Sequence, residues 1–362
     1  MGVIRRTLGS RAAGTLTSPH TIDHYLEQIH PMLTVDEVRA RVVKVVHETG
    51  DASTVVLRPN GAWRGFVPGQ HVQFGIEVDG KRRVRVFSVS SSQANRDGTF
   101  SVSVKAHPDG YVSQFLHREL TPRTIVHLSQ AEGEFVLPDE LPDHVLMLSG
   151  GSGITPVMSM IRTLRDRKHQ GEVTFLHYAR SRDDEMFTEE LDQLADETGF
   201  RIERVYTRVP AEVAELQGRF HIDHLKHLGV DASDTLTYVC GPAGLIASVR
   251  DTYDELGAGD QLRAEYFKVP KVDLDAADAT GTLTFDASGR TADNSGATIL
   301  EQAEAAGLKP AYGCRMGVCN TCAVKKLHGA ARHVVSGEVQ ADTDQTLKVC
   351  VHVPVGDVSV AL

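Results

Sequence analysis

Hydrophobic and polar positions change rhythm twice along the 362-residue chain. From Val35 to about Glu140, short segments alternate or run apolar: Val38–Val46, Ser53–Arg58, His71–Val78, Val84–Ser90 and Thr99–Lys105. Gly61, Pro68-Gly69, Asp79-Gly80 and Pro108-Asp109-Gly110 supply turn chemistry between them. Many short strands at this spacing predict a small antiparallel β-barrel. From His144 onward, compact apolar runs alternate with longer segments of helical period. His144–Leu148, Val173–Tyr178, Arg201–Thr207 and Thr235–Val239 read as strands. A segment opening at Thr155-Pro156, then Phe187–Thr198, His221–His227 and Leu245–Leu256, read as helices, with Thr155 the expected cap of the first. That alternation predicts a parallel α/β sheet.

Val269–Ala279 has little periodicity and reads as a linker. A last unit runs from Gly281 to Leu362: a hairpin (Thr282–Asp286, Arg290–Ala292), a helix (Ile299–Ala306), a cysteine loop and short strands. The expected organisation is an N-terminal extension over 1–34, a barrel over 35–141, an α/β domain over 142–268, a linker over 269–280 and a small domain over 281–362.

Charge narrows the classes. Lys+Arg 38 against Asp+Glu 48 gives a formal −10, which argues against non-specific binding to nucleic acid or to an anionic membrane. No apolar run approaches the roughly 18 residues a spanning helix needs. Met1–His20 carries Arg5, Arg6 and Arg11 and no acid, and lacks the apolar core of a secretory signal. Met1-Gly2 has Arg6 where an acylation signal wants Ser or Thr. With an odd count of five cysteines, the chain is expected to be cytoplasmic with reduced thiols.

Four of those cysteines carry the strongest chemical signal. Cys314, Cys319, Cys322 and Cys350 form C-x4-C-x2-C…C, the plant-type [2Fe–2S] ligand spacing. Three thiolates from one loop must converge on two irons, and Gly313 and Gly317 let the backbone approach without a Cβ. The alternative, a tetrahedral zinc site, usually shows paired short spacings; here only Cys319 and Cys322 form one. On this motif the last unit resembles a plant-type ferredoxin, which implies a β-grasp fold. Cys240 stands outside the constellation.

Gly150-Gly151-Ser152-Gly153-Ile154-Thr155-Pro156 follows a strand and opens a helix, the context a phosphate-binding glycine turn requires. Pro156 stands where the dinucleotide fingerprint has its third glycine. Arg85-Val86-Phe87-Ser88-Val89-Ser90-Ser91, with Gly69-Gln70-His71 upstream and Gly110-Tyr111-Val112-Ser113 downstream, lies in the predicted barrel. Together these segments resemble the ferredoxin–NADP reductase family. Its signature is Arg-x-Tyr-Ser-x-x-Ser, and its glycine turn has the Gly-x-Gly-x-x-Pro form.

The resemblance implies roles residue by residue. Arg85 would pair with the flavin pyrophosphate, a match for a forked guanidinium. Phe87 takes the place of the family tyrosine on the isoalloxazine, without its hydroxyl. Ser88 would lie near flavin N5, Gln70 is a further flavin contact, and Ser113 would sit at a helix N-terminus that favours phosphate. In the nicotinamide half, Gly151, Gly153 and Thr155 form the turn. Cys240-Gly241-Pro242 brings a thiol near the nicotinamide, and Glu265 and Phe267 match a segment approaching the flavin. Ser88, Cys240 and Glu265 are therefore the expected catalytic set. Arg180 and Arg182 at the end of the second strand favour NADPH over NADH. Asp183 and Asp184 follow at once, and Arg208 and Arg219 are further candidates for the same pocket.

All three parts fit one chemistry. NAD(P)H gives two electrons as hydride, an iron–sulfur cluster passes one at a time, and a flavin (FAD, with FMN open) can do both. The order resembles the phthalate dioxygenase reductase family. Tyr25–Val43 resembles the extension of actinobacterial reductases that serve acyl-CoA desaturases, which implies a redox partner of that kind, reached at a membrane through the partner. A Rieske oxygenase or another hydroxylase is the alternative partner. An iron–sulfur redox sensor is a further alternative, against which the acidic charge and the lack of a helix-turn-helix count.

Overall fold

The computed structural model describes residues 21–78, 81–108, 110–208, 216–267, 279–313, 315–317 and 320–362. The basic segment 1–20, most of the predicted linker and two predicted ligands, Cys314 and Cys319, lie outside them. The chain divides into two compact units, Met1–Glu265 and Tyr266–Leu362.

The first unit opens with helix α1 (Ile22–Ile29), which is tied down by two buried charges. The Asp23 carboxylate accepts the backbone amides of Val35, Asp36 and Glu37, the last two at 3.0 Å. Arg39, 5% exposed, donates to Glu27, Glu37 and the Pro31 carbonyl. These contacts tie α1 to the segment that leads into the first strand.

Six strands follow: β1 (Val38–Thr49), β2 (Ala52–Pro59), β3 (His71–Val78), β4 (Lys81–Ser88), β5 (Phe100–Lys105) and β6 (Ile125–Leu128). They form an antiparallel sheet in the order β4-β3-β6-β1-β2-β5, and a Val89–Val102 bridge joins its two ends. The alternation places Val55, Leu57, Phe74, Ile76, Phe100 and Val102 in one core. Strand β6 is central, yet four residues of Ile-Val-His-Leu are too short for a period-two signal. Helix α2 (Tyr111–Arg118) lies between β5 and β6 in sequence.

The α/β half has β7 (His144–Gly150), α3 (Ile154–Asp166), β8 (Glu172–Ala179), α4 (Thr188–Thr198), β9 (Arg201–Tyr206), α5 (Ile222–Leu228), β10 (Leu236–Gly241), α6 (Ala243–Glu255) and β11 (Leu262–Tyr266). The strand order is β11-β10-β7-β8-β9, with β10-β7-β8-β9 parallel. Thr155 does not cap α3. The helix starts one residue earlier from Gly153, and the Thr155 hydroxyl donates to the Ser152 carbonyl at 3.1 Å. Polar contacts from α3 hold this half to the barrel: Ser159 Oγ donates to Ser91 O at 2.8 Å, and Arg162 Nη1 to Ser90 O at 2.5 Å. Lys105 pairs with Asp51 at 3.2 Å and with Asp184 at 2.7 Å.

The second unit is the expected β-grasp. Hairpin β12 (Thr282–Phe285) and β13 (Arg290–Asp293) leads to α7 (Ile299–Ala305), which Thr298 and Glu301 cap reciprocally. Strands β14 (Ala323–His333), β15 (Val339–Gln340), β16 (Thr346–Lys348) and β17 (His352–Val360) complete it. Strand β17 pairs parallel with β12 and antiparallel with β14, giving a mixed sheet. Its core joins Leu283, Phe285, Ile299, Leu300, Val358 and Val360 to Cys322 and Cys350.

Candidate functional site

Two glycine-bearing motifs far apart in sequence meet at the carboxyl ends of β7 and β10. Register pairs Cys240 with Ser149, so the turn after each strand lies beside the other. The approach is close enough to dictate residue type. A Cβ on Gly153 would fall 2.2 Å from the Cys240 carbonyl oxygen, and one on Gly241 would fall 2.9 Å from the Gly150 amide. Gly151 takes φ +54°, which a side chain disfavours. Pro242 sits at the start of α6. The helix α3 that follows the turn aims its N-terminus at the same place, a setting suited to the pyrophosphate of a dinucleotide.

On the barrel side, β4 presents Arg83, Arg85 and Phe87 on one face by strand alternation. The Arg83 guanidinium lies 4.4 Å over the Tyr111 ring at the start of α2, which sets this basic face beside a helix N-terminus. Arg85 is exposed, with Nη1 donating to the Val84 carbonyl at 2.7 Å. These groups fit an anionic pyrophosphate. Ser113 is the third residue of α2, and its hydroxyl closes the loop, donating to Gly110 O at 2.9 Å and accepting from His107 N at 3.1 Å. Gln70 braces the turn before β3: its Oε1 accepts from Val67 N at 2.9 Å. Phe87 packs edge-on to Phe74 with ring centres 5.9 Å apart. Ser88, 3% exposed, ends β4.

Ser88 pairs in register with His71 on β3. His71 reaches Glu265 on β11, with Nδ1 3.7 Å from Oε1, while the other carboxylate oxygen, Oε2, lies 4.0 Å from Cys240 Sγ. Three residues singled out in sequence are thus gathered, and His71, quoted there only as part of a motif, joins them. Burial pushes the Glu265 carboxyl up against the pull of His71. Burial, then the Glu265 charge, pushes the Cys240 thiol well up, so it is a neutral thiol at neutral pH. Phe267 follows β11 and is half-buried.

Arg180 and Arg182 end β8, but each already has a carboxylate. Arg180 binds Asp184 and lies 3.8 Å from Asp51; Arg182 binds Asp192 at 2.8 Å. Arg208 and Arg219 are exposed.

In the second unit, the sulfurs of Cys322 and Cys350 lie 3.1 Å apart. The Cys350 contact lowers the Cys322 thiol, as suits a thiolate ligand. Gly317 takes φ +76°, and a Cβ there would meet Val351 at 2.9 Å, so the loop wraps tightly as the ligand geometry demands. Among the described residues no cluster of three metal-ligating side chains forms, since Cys314 and Cys319 are outside them. When bound, a [2Fe–2S] cluster would supply one-electron transfer, held here by Cys322 and Cys350 with the other two cysteines of the motif.

Comparisons with known proteins agree with this division. Residues 40–137 match the oxidoreductase FAD-binding domain, 147–251 the oxidoreductase NAD-binding domain, and 283–355 the 2Fe-2S iron-sulfur cluster binding domain. An NADPH oxidoreductase of Mycobacterium tuberculosis is 36% identical, the alignment covering 96% of this chain and 90% of that protein. A glycine betaine monooxygenase reductase subunit of Pseudomonas aeruginosa is 30% identical, over 88% of this chain and 93% of the relative. The fold is that of phthalate dioxygenase reductase, with a TM-score of 0.60 at 21% identity, over 90% of this chain and 98% of the other. No helix among the described residues is long and apolar enough to cross a membrane. The chain carries FAD-binding, NAD-binding and [2Fe–2S] domains in that order, and it belongs to the NAD(P)H-dependent electron-transfer reductases of oxygenase systems.

Proposed function

We propose that this reductase takes hydride from NADPH and delivers single electrons to an acyl-CoA or fatty-acid desaturase. The observation that carries the choice of partner is Tyr25–Val43, whose sequence resembles the extension of acyl-CoA desaturase reductases. The 36% identity to the mycobacterial NADPH oxidoreductase, over 96% of the chain, supports the coenzyme and not the partner. The buried Asp23 and Arg39 contacts make that segment part of the flavin unit rather than a loose tail.

In this reading Ser88, Cys240 and Glu265 flank the meeting place of nicotinamide and flavin. Arg85, Phe87, Gln70 and the α2 terminus carrying Ser113 shape the flavin site. Gly151, Gly153, Thr155, Gly241 and Pro242 shape the coenzyme site. NADPH over NADH is supported by basic residues at the ends of β8 and β9. Arg208 and Arg219, exposed, are better placed to meet a 2′-phosphate than Arg180 and Arg182, which carboxylates already engage.

A second reading, reductase of a Rieske dioxygenase or other hydroxylase, is favoured by the glycine betaine monooxygenase reductase subunits among the relatives. Reconstitution decides between them. NADPH-driven desaturation of an acyl-CoA by membranes containing the desaturase supports the first. Turnover with a soluble hydroxylase and none with the desaturase would overturn it.

A further inference from the structure

His71 is the polar side chain at the centre of the first unit that the family-derived roles leave without a task. It is 5% exposed and held firmly. Its backbone exchanges both hydrogen bonds with Glu132, each at 2.9 Å, and Gly133 lies over its ring, where a Cβ would come within 3.0 Å of Cε1 and Nδ1. The barrel therefore delivers a fixed imidazole to a carboxylate that belongs to the α/β half.

The charged groups at this point are few. His71 is the titratable group that faces Glu265, and Glu265 is the titratable group that faces Cys240. The Glu132 side chain beside His71 is exposed and turned to water. The carboxylate is thus shared: one oxygen faces the imidazole and the other faces the thiol.

We propose that His71 is a positioning residue for the electron-transfer reaction: its imidazole orients the Glu265 carboxylate between barrel and α/β half and, with it, receives the proton left over from each hydride. The balance requires such a receiver. NADPH → NADP⁺ + H⁺ + 2 e⁻, and the one-electron acceptors take only the electrons, so one proton per coenzyme must leave the site. A carboxylate and an imidazole 3.7 Å apart are within reach of sharing one proton through a single water or on closing to hydrogen-bond distance, without creating an isolated buried charge.

The test uses the holoprotein with FAD and cluster content measured first. In His71→Phe, losing the imidazole contact lets burial raise the Glu265 carboxyl further. The acidic limb of the pH profile for kcat should then move to higher pH, while KM for NADPH stays within about two-fold. His71→Gln, which keeps a polar group, should recover part of kcat without restoring the limb. A readout free of turnover is the Glu265 carboxyl titration followed by NMR of labelled glutamate, which should move to higher pH in His71→Phe. An unmoved limb in His71→Phe with full FAD content, or an unmoved Glu265 titration in that variant, overturns the proposal.

Discussion

The Cys240 carbonyl oxygen occupies space that a Gly153 side chain would need, 2.2 Å from where its Cβ would lie. The two glycine turns after β7 and β10 are therefore fitted to each other through backbone, not through side chains. Gly153→Ala must push β10 away or unwind the turn. The expected cost is about 1–3 kcal/mol of stability, together with a rise in KM for NADPH, because both motifs shift at once. Thermal unfolding and steady-state kinetics on the same preparation check this.

The N-terminal helix makes a separate prediction. Asp23 satisfies backbone amides of the 35–37 segment from a buried position. Asp23→Ala should cost about 1–3 kcal/mol, the penalty for leaving the buried Val35 amide without its partner. Denaturant unfolding should show the loss, and NADPH-dependent flavin reduction at low temperature should not.

Acid stability should depend on His177. It is 1% exposed, shares a 2.7 Å hydrogen bond with Ser149 on β7, and burial lowers its pKa to about 3. A lowered histidine stabilises the fold fully above its unfolded value near 6.5 and loses that contribution as pH falls toward about 3. The wild type should lose roughly 2–3 kcal/mol from this group between pH 6.5 and pH 4. His177→Gln should show a shallower slope over that window, measured by chemical denaturation at stepped pH.

Cluster chemistry should be separable from flavin chemistry. Cys322→Ser removes a described ligand from the second unit and leaves the first untouched. The variant should lose the [2Fe–2S] absorption and most cytochrome c reduction, and retain ferricyanide reduction by NADPH. Zinc in place of iron in properly assembled wild type would contradict the cluster assignment.

The legible part of the molecule was what local physics dictates. Strand and helix periods marked β3, β8 and α4 to within a residue or two, and cysteine spacing named ligands that a fold must gather. Less legible were features set by tertiary neighbours. Strand β6 is too short to carry a period, and it forms because β1 and β3 both pair with it. The α3 start lies one residue before Thr155 because glycine at 153, demanded by the Cys240 carbonyl, ends the turn earlier than the cap residue suggests. His71 looked like one residue of a motif, and only the register of β3 against β4 and the reach of β11 make it a neighbour of Glu265. The acids after Arg180 and Arg182 are visible in the sequence, but not that Asp184 pairs with Arg180 and the more distant Asp192 with Arg182.

Hydride enters at the first unit and electrons leave singly through the second, a division that electron paramagnetic resonance of anaerobic holoprotein mixed with NADPH tests most directly. NADPH alone should bleach the flavin and produce the signal of a reduced [2Fe–2S] cluster, and Cys322→Ser should keep the bleaching and lose the signal. Flavin bleaching in the wild type with no cluster signal, when dithionite does elicit one, would contradict that division.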